Sequence, residues 1–450
     1  MVSTCFYFQV HQPYRLKNYK VFDIGKNHDY FDHKKNKEIC EKVAGKCYIP
    51  ANKLMLRLID RFSKEKHINN NKQFKISYSI SGTALEQFEE YTPKVIESFQ
   101  HLADTGNIEF LNETFHHSLS FLKSKKEFMH QVNLHKRKIK ELFGAENARS
   151  KVFRNTELIF NNELASFMEE KGFKGIITEG ADHILDWRSP NFVYNAKTTS
   201  EKPQHKKIKL LLKNYKLSDD IAFRFSNKGW DEWPLTAEKF AGWINKIHGN
   251  GEVLNLFMDY ETFGEHQWED TGIFKFMEKL PEELLNSSKN QGDSDQHSKP
   301  QNHLVESKHQ SNDFVTPSEA IRKYKSKGEI DMHNFVSWAD VERDLSAWLG
   351  NHMQEAAFNN LHDMEPDMIR ISNNISDKDN SKKKAAEKLI NDWRRLQTSD
   401  HFYYMCTKWF SDGDVHKYFN PYESPYDCFI AFMNIINDLR YRIKVENENQ

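Results

Sequence analysis

The chain has 450 residues, 38% of them hydrophobic and 29% charged, with 64 basic and 65 acidic side chains and a formal net charge of −1. This length outgrows a single small core and suits one large barrel plus an accessory domain. The even charge balance excludes the basic footprint of a nucleic-acid binder, and no apolar run approaches the ~20 residues of a membrane span.

Neither nucleic acid nor membrane is therefore an expected partner. Met1-Val2-Ser3-Thr4 carries no cationic stretch ahead of an apolar run, so no secretory signal is predicted. The cysteines Cys5, Cys40, Cys47, Cys406 and Cys428 are odd in number and form no CxxC pair. Reduced thiols in the cytoplasm are the simplest reading.

Through the first ~280 residues, short β-branched and aromatic runs alternate with longer amphipathic stretches. The first run, Thr4–Val10, leads into His11-Gln12-Pro13, and Asn52–Lys64 follows as a helix. Phe74–Ile80 leads into Ser81-Gly82-Thr83-Ala84-Leu85-Glu86, and Ile108–Leu111 into Asn112-Glu113-Thr114-Phe115-His116-His117. After a helical stretch at Lys126–Phe143, Lys151–Arg154 delivers Asn155-Thr156-Glu157. Gly175–Thr178 runs straight into Glu179. The next strand is Ile208–Leu212 or Ile221–Phe225, and the last, Val253–Met258, ends in Asp259-Tyr260-Glu261.

This alternation predicts an α/β fold of parallel strands with helical crossovers, a barrel or a doubly wound sheet. From Asn286 to Asp313 the chain turns polar, with almost nothing to bury, and reads as a disordered linker. Beyond it, Pro317–Lys327, Asp340–Asn359, Lys383–Gln397 and Pro425–Ile443 look helical. The expected division is a barrel at 1–285, a linker at 286–313 and an α-helical domain at 314–450 that contributes to the active site. No internal repeat is evident.

In a barrel, the C-terminal ends of parallel strands converge on one face. A single carboxylate after a strand is as readily a helix cap as a functional group. Five strand ends delivering acids, and one delivering a histidine, form a ring. Such a ring suits glycoside cleavage, which needs one protonated and one ionised carboxyl beside the scissile bond.

The runs FQVHQPYR at 8–15, GTALEQ at 82–87, FRNTELIFNN at 153–162 and MDYETFGEH at 258–266 resemble the successive signatures of glycoside hydrolase family 57, in particular its α-amylase-like branch. VERDLSAWLGN at 341–351 and SDHFYYM at 399–405 continue the resemblance. It implies a (β/α)7 barrel, a distorted relative of the TIM barrel, followed by an α-helical domain, and a retaining mechanism that needs no cofactor. By the same resemblance Glu157 is the nucleophile and Asp259 the acid/base. His11, Glu86, Glu261 and Asp400 map to residues that bind the sugar. Some members carry a histidine two residues before the HQP run, where this chain has Gln9.

The chemistry sets matching demands. Glu157 must be ionised, with Arg154 a nearby cation, and Asp259 must hold its proton through burial and the neighbouring charge of Glu157. Trp230, Trp233 and Trp338 are candidate stacking platforms for an α-glucan, each with a structural role as its plain alternative. Cleavage of internal α-1,4-glucosidic bonds of starch, glycogen or maltooligosaccharides is the expected activity. The alternative on the same substrates is 4-α-glucanotransferase. Metal-dependent polysaccharide deacetylase, the related α-mannosidases and a non-catalytic glucan-binding protein are more remote. No H-x-H or H-x-x-x-H ligand spacing accompanies an acid at a strand end, so no catalytic metal is expected, while loop carboxylates remain compatible with a structural calcium.

Overall fold

The computed structural model describes residues 2–64, 73–198, 207–286, 312–375, 380–408 and 421–448. Seven parallel strands follow chain order: β1 Ser3–Val10, β2 Ile76–Ile80, β3 Ile108–Phe110, β4 Val152–Arg154, β5 Gly175–Glu179, β7 Lys209–Lys213 and β8 Val253–Asp259. The short strand β6, Tyr194–Ala196, lies antiparallel to β7. They make two ladders, β3-β2-β1-β8 and β7-β5-β4. Sparse bonds join the ladders at both seams. At one, Asn112 donates its N–H to Val152 O (3.3 Å) and Arg154 its N–H to Asn112 O (2.9 Å). At the other, Asn214 N–H reaches Asn255 O (3.0 Å) and Asn255 Nδ2 reaches Leu212 O (2.9 Å). The ring so formed is a (β/α)7 barrel.

Both faces of β1 are buried, as a parallel strand covered by helices requires. Phe6, Phe8 and Val10 pack outward against the helices, while Cys5 and Tyr7 point into the barrel with Phe257, Leu111 and Ile177. Residues of the alternative strand Ile221–Phe225 are helical instead. Asn214 caps Tyr215–Asp219 by accepting from Leu217 N–H, and the helical path runs on through Asp220–Arg224.

The polar segment expected at 286–313 lies, apart from its ends, outside the described residues. After it the chain first returns to the barrel, so the helical unit does not begin at 314. Strand β9, Asp313–Phe314, pairs with β1, the helix Pro317–Lys323 packs on β5 and β7, and β10, Glu329–Ile330, pairs with β6. Helical packing of a separate core starts at Ser346–Leu349 and continues through His352–His362, Glu365–Asn373, Asn380–Arg395, Ser399–Tyr403 and Pro425–Glu448. Tyr14, Leu16, Tyr30 and Phe31, from the loop after β1, belong to that core. The C-terminal helices therefore sit over the carboxyl ends of the strands. All five cysteines are free and buried. Among the described residues no helix is long and apolar enough to cross a membrane.

Gly264 closes the turn after β8 with φ +110°, and a Cβ there would stand 2.0 Å from Lys46 O. Backbone cannot yield as a flexible side chain can, so Gly264→Ala should destabilise the fold by about 1–3 kcal/mol. Urea unfolding followed by circular dichroism checks this; an unchanged midpoint would show the turn to be pliable.

Candidate active site

Glu157 stands in a tight turn just past β4, with φ +56°, and Leu158 after it has φ +54°. Two consecutive non-glycine residues in the left-handed region are strained and persist only when their surroundings hold them. The hold is visible. Phe160 and Val336 exchange backbone hydrogen bonds of 2.9 Å, and Trp338 N–H donates to Glu157 O at 3.2 Å. The turn aims the Glu157 carboxylate at two donors: Trp338 Nε1–H to Oε2 at 2.7 Å, and His117 Nε2 to Oε1 at 2.9 Å.

His117, itself at φ +51°, is buried between two acids. Its Nδ1 lies 3.3 Å from Glu113 Oε2. Arg154 Nη1 lies 3.2 Å from the same nitrogen, but two donors cannot share a hydrogen bond, so the protonation state decides which contact is real. Burial disfavours the imidazolium; the hydrogen bonds to Glu113 and Glu157 outweigh it and raise His117 to about 9. Glu113 is then its acceptor, with Arg154 Nη1 3.7 Å from that carboxylate. Burial likewise opposes ionisation of Glu113 and Glu157. His117 and Arg154 overcome it, lowering Glu113 to about 2 and holding Glu157 below the usual carboxylate range.

Asp259, at the end of β8, is driven the opposite way. Burial first, and then the charge of Glu157, push it up to about 6 despite Arg154, Lys213 and His117. The two carboxyls that meet here are thus an ionised one and one that keeps its proton into mildly acidic solution. Both remain partly open, Glu157 being 21% exposed, as groups that must meet a ligand require.

Around them stand most of the residues expected from the sequence. His11 joins Ser81 Oγ through Nδ1 (2.7 Å) and Asp400 Oδ2 through Nε2 (2.9 Å), and its ring stacks on His117 at 3.9 Å. Burial and then the His117 charge lower its pKa, while its own interaction with Asp400 lowers that carboxyl against burial. Asp400 arrives from the C-terminal helices: Ser399 N–H donates to His117 O at 2.9 Å, and Ser118 pairs with Thr398. Glu261 accepts hydrogen bonds from Tyr48 Oη and from the His11 backbone, while burial and Asp259 raise its pKa. Arg154 is fully buried, its guanidinium 5.4 Å from the centre of the Trp338 ring, and its Nε and Nη2 lack hydrogen-bond partners. Those two donors are enclosed beside the Trp338 ring.

Three expected residues stand apart from this group. Glu86 is bound by Arg395 Nη2 at 2.8 Å beside Tyr14. Trp230 packs at 6.2 Å on Trp243 in the layer outside the barrel, and Trp233 is 43% exposed. Gln9, buried where a histidine stands in some relatives, accepts from Tyr7 Oη and Ser79 Oγ, both at 2.7 Å. Sequence reading passed over the role of His117, although a carboxylate four residues earlier, Glu113, was the signal. It also passed over Lys213 and Arg343, which partner Glu179. Among the described residues no group of three or more His, Cys, Asp or Glu is arranged to hold a metal ion.

Glu113→Gln keeps the shape of the side chain but removes the charge behind His117. His117 should then lose its proton more readily and Glu157 gain one more readily. The acid limb of kcat/KM should move to higher pH, with a loss of about tenfold or more at its optimum. A pH profile reads this, and an unmoved limb would mean that Glu113 does not act through His117.

The family model "Glycosyl hydrolase family 57" matches residues 5–333. A "Putative alpha-amylase" of Methanocaldococcus jannaschii is 42% identical over 444 residues, spanning 98% of this chain and 84% of its own. Among solved structures, a GH57-type branching enzyme from Pyrococcus horikoshii superposes with a TM-score of 0.62 at 13% identity, covering 99% of this chain and 95% of that one. A 4-alpha-glucanotransferase from Thermococcus litoralis gives 0.57 at 15% identity; the match takes in 98% of this chain but 60% of that longer one. An alpha-amylase from Thermotoga maritima gives 0.56 at 13% identity, with 99% and 96% covered. At such identities the structures show a shared fold. The family model and the 42% identity across almost the whole chain go further: this protein belongs to glycoside hydrolase family 57 and is a glycosidase.

Proposed function

We propose that the protein hydrolyses internal α-1,4-glucosidic bonds of starch, glycogen and maltooligosaccharides in the cytoplasm, with retention of configuration and without a cofactor. The observation that carries this is the opposed ionisation of Glu157 and Asp259, one held as carboxylate and the other raised to about 6. Environments that drive two carboxyls apart divide them into nucleophile and acid. In the first step a Glu157 oxygen attacks the anomeric carbon and the bond to the leaving oxygen breaks. That oxygen takes the Asp259 proton. Once esterified, Glu157 no longer repels charge, so the pKa of Asp259 falls and it accepts a proton from water as the water oxygen attacks the same carbon. The ester bond breaks and Glu157 leaves as carboxylate. His11, Arg154, Glu261, Trp338 and Asp400 supply hydrogen bonds and an aromatic face to the sugar at the cleavage point. Glu86 and Trp230 are left out of that set because Arg395 and Trp243 hold them.

Ionisation sets the pH dependence. Glu157 must be deprotonated, so activity rises from low pH; Asp259 must be protonated, so activity falls as pH climbs through about 6. Glu157→Ala should abolish turnover, with azide restoring bond cleavage and giving a glycosyl azide of inverted configuration. Asp259→Ala should still react with substrates whose leaving group needs no proton, and azide should then give the retained product. Near-normal activity in Glu157→Gln would overturn the assignment.

Incubation with maltoheptaose separates hydrolysis from transfer. Hydrolysis yields glucose, maltose and short oligosaccharides, whereas products longer than the substrate would identify a 4-α-glucanotransferase. Activity should survive exhaustive chelation, since the two carboxyls suffice for the chemistry. Loss on chelation with recovery on adding zinc would contradict the mechanism.

A further inference from the structure

Trp338 reaches Glu157 from a loop, Ser337–Asp344, whose own anchorage lies on the other side of the site. The loop closes on itself through Ser337 N–H to Arg343 O (3.0 Å) and Ser337 Oγ–H to Asp344 O (2.7 Å). Asp340 and Arg343 both have positive φ, +53° and +52°. A conformation with two such residues is not held by local preference. Nor is it held by burial of its tip, because Val341 is 84% exposed. Lys408 bridges Asp340 and Glu342 at 3.5 and 3.1 Å; the Glu342 pair is exposed and contributes little, while the pair with the buried Asp340 carboxylate ties the loop through the longer contact.

The strong anchor is Arg343. Its Nη1 lies 2.8 Å from Glu179 Oε2, a carboxylate buried completely at the end of β5. The guanidinium lies 4.0 Å from the centre of the Tyr215 ring, and Nη2 is 3.9 Å from Asp219. Lys213, at the end of β7, completes the group: its Nζ is 2.9 Å from Asp219, 3.8 Å from Glu179 and 5.3 Å from the centre of the Trp338 ring. Removing one member of a buried, charge-balanced group leaves the others uncompensated, so such an anchor holds far more firmly than a surface pair. The backbone path from Arg343 to Ser337 is short and internally bonded. A shift of the guanidinium therefore moves the indole.

We propose that Arg343 is a positioning residue, held by Glu179 so that the Ser337–Asp344 loop presents the Trp338 indole N–H to Glu157. The proposal rests on the reading of Glu157 as nucleophile. Arg343 touches no reacting atom; it acts through Trp338. The ionisation of Glu179 supports this role. Burial raises its pKa, and Lys213 and Arg343 are the charges that counter that rise. Loss of Arg343 thus removes one of the two charges that counter the burial of Glu179, together with the loop's own tie to the end of β5.

The first readout needs no substrate, so it stands or falls apart from the proposed activity. The chain has nine tryptophans, and indole 15N–1H spectra of the full-length protein resolve their N–H signals. The Trp338 signal is identified by its loss in Trp338→Phe and is expected well downfield, as a donor to a carboxylate. In Arg343→Met it should move toward the position of a solvent-exposed indole. Arg343→Lys, which keeps the charge but not the planar fork, should give an intermediate position and guards against a variant that does not fold. An unmoved signal overturns the proposal.

The second readout is a double-mutant cycle on maltoheptaose. Arg343→Met should lower kcat/KM about tenfold and move the acid limb to higher pH, because Glu157 loses a donor. The Arg343→Met/Trp338→Phe protein should fall within about twofold of Trp338→Phe alone. Additive losses, or an indole shift without loss of kcat/KM, would show that Arg343 does not act through Trp338. Full activity in Glu157→Ala would instead remove the reading of the nucleophile while leaving the indole result intact.

Discussion

Four charges buried at the carboxyl end of one barrel organise everything else at this site. His117 lies between Glu113 and Glu157, and Arg154 lies against both His117 and Glu113. A lone ionised carboxylate at such depth would neutralise itself by taking a proton, because the cost of removing its water is several kcal/mol or more. Two anions with two cations, joined by hydrogen bonds, escape that outcome together and not singly. The group is assembled from two adjacent strand ends, since Glu113 and His117 follow β3 while Arg154 ends β4 and Glu157 follows it, and β8 brings Asp259 beside them. Glu157 can then remain a carboxylate beside Asp259, and its charge adds to burial in keeping Asp259 protonated.

The barrel and the helical region share this site. Each of the seven barrel strands supplies only one or two of its groups, and the helices supply Asp400, whose carboxylate orients His11 from above. The stacked rings of His11 and His117, 3.9 Å apart, favour one charged and one neutral imidazole, because two cations at that distance repel. Asp400 serves the neutral ring and Glu113 the charged one. Displacing the C-terminal helices would therefore disturb Glu157 through two rings, although no helical residue in the Ser399–Tyr403 segment bonds to Glu157 among the described contacts.

Much of this was legible in the sequence, for reasons that lie in particular residues. Strand runs such as Thr4–Val10 and Val253–Met258 are buried on both faces, so their apolar character is nearly continuous and their ends are sharp. Because strand ends converge, the sequence alone assigns Glu157, Asp259 and His11 to one site. Asp400 and Trp338 were harder, since only the return of the chain over the barrel brings them there. What stayed hidden was pairing. Glu86 looks as available as Glu157 until Arg395, 309 positions later, is seen to bind it. His116 and His117 are neighbours in sequence, yet one is an imidazolium between acids and the other a neutral ring whose pKa burial depresses. The region 314–333 reads as the start of a helical domain, but its short strands pair with β1 and β6 at the margins of the barrel instead, and two-residue strands leave no periodicity to detect.

The claim at the centre is that Glu157 forms a covalent bond to the sugar. A 5-fluoro-α-glycosyl fluoride slows both steps by destabilising the positive charge at the anomeric carbon, and a fluoride leaving group lets the first step proceed, so the intermediate accumulates. Intact-protein mass spectrometry after this treatment should show one added glycosyl unit, and peptide mapping should place it on Glu157. A label on Glu113, Glu179 or Glu261, or an enzyme that turns over the fluoride with inversion and carries no label, would contradict it.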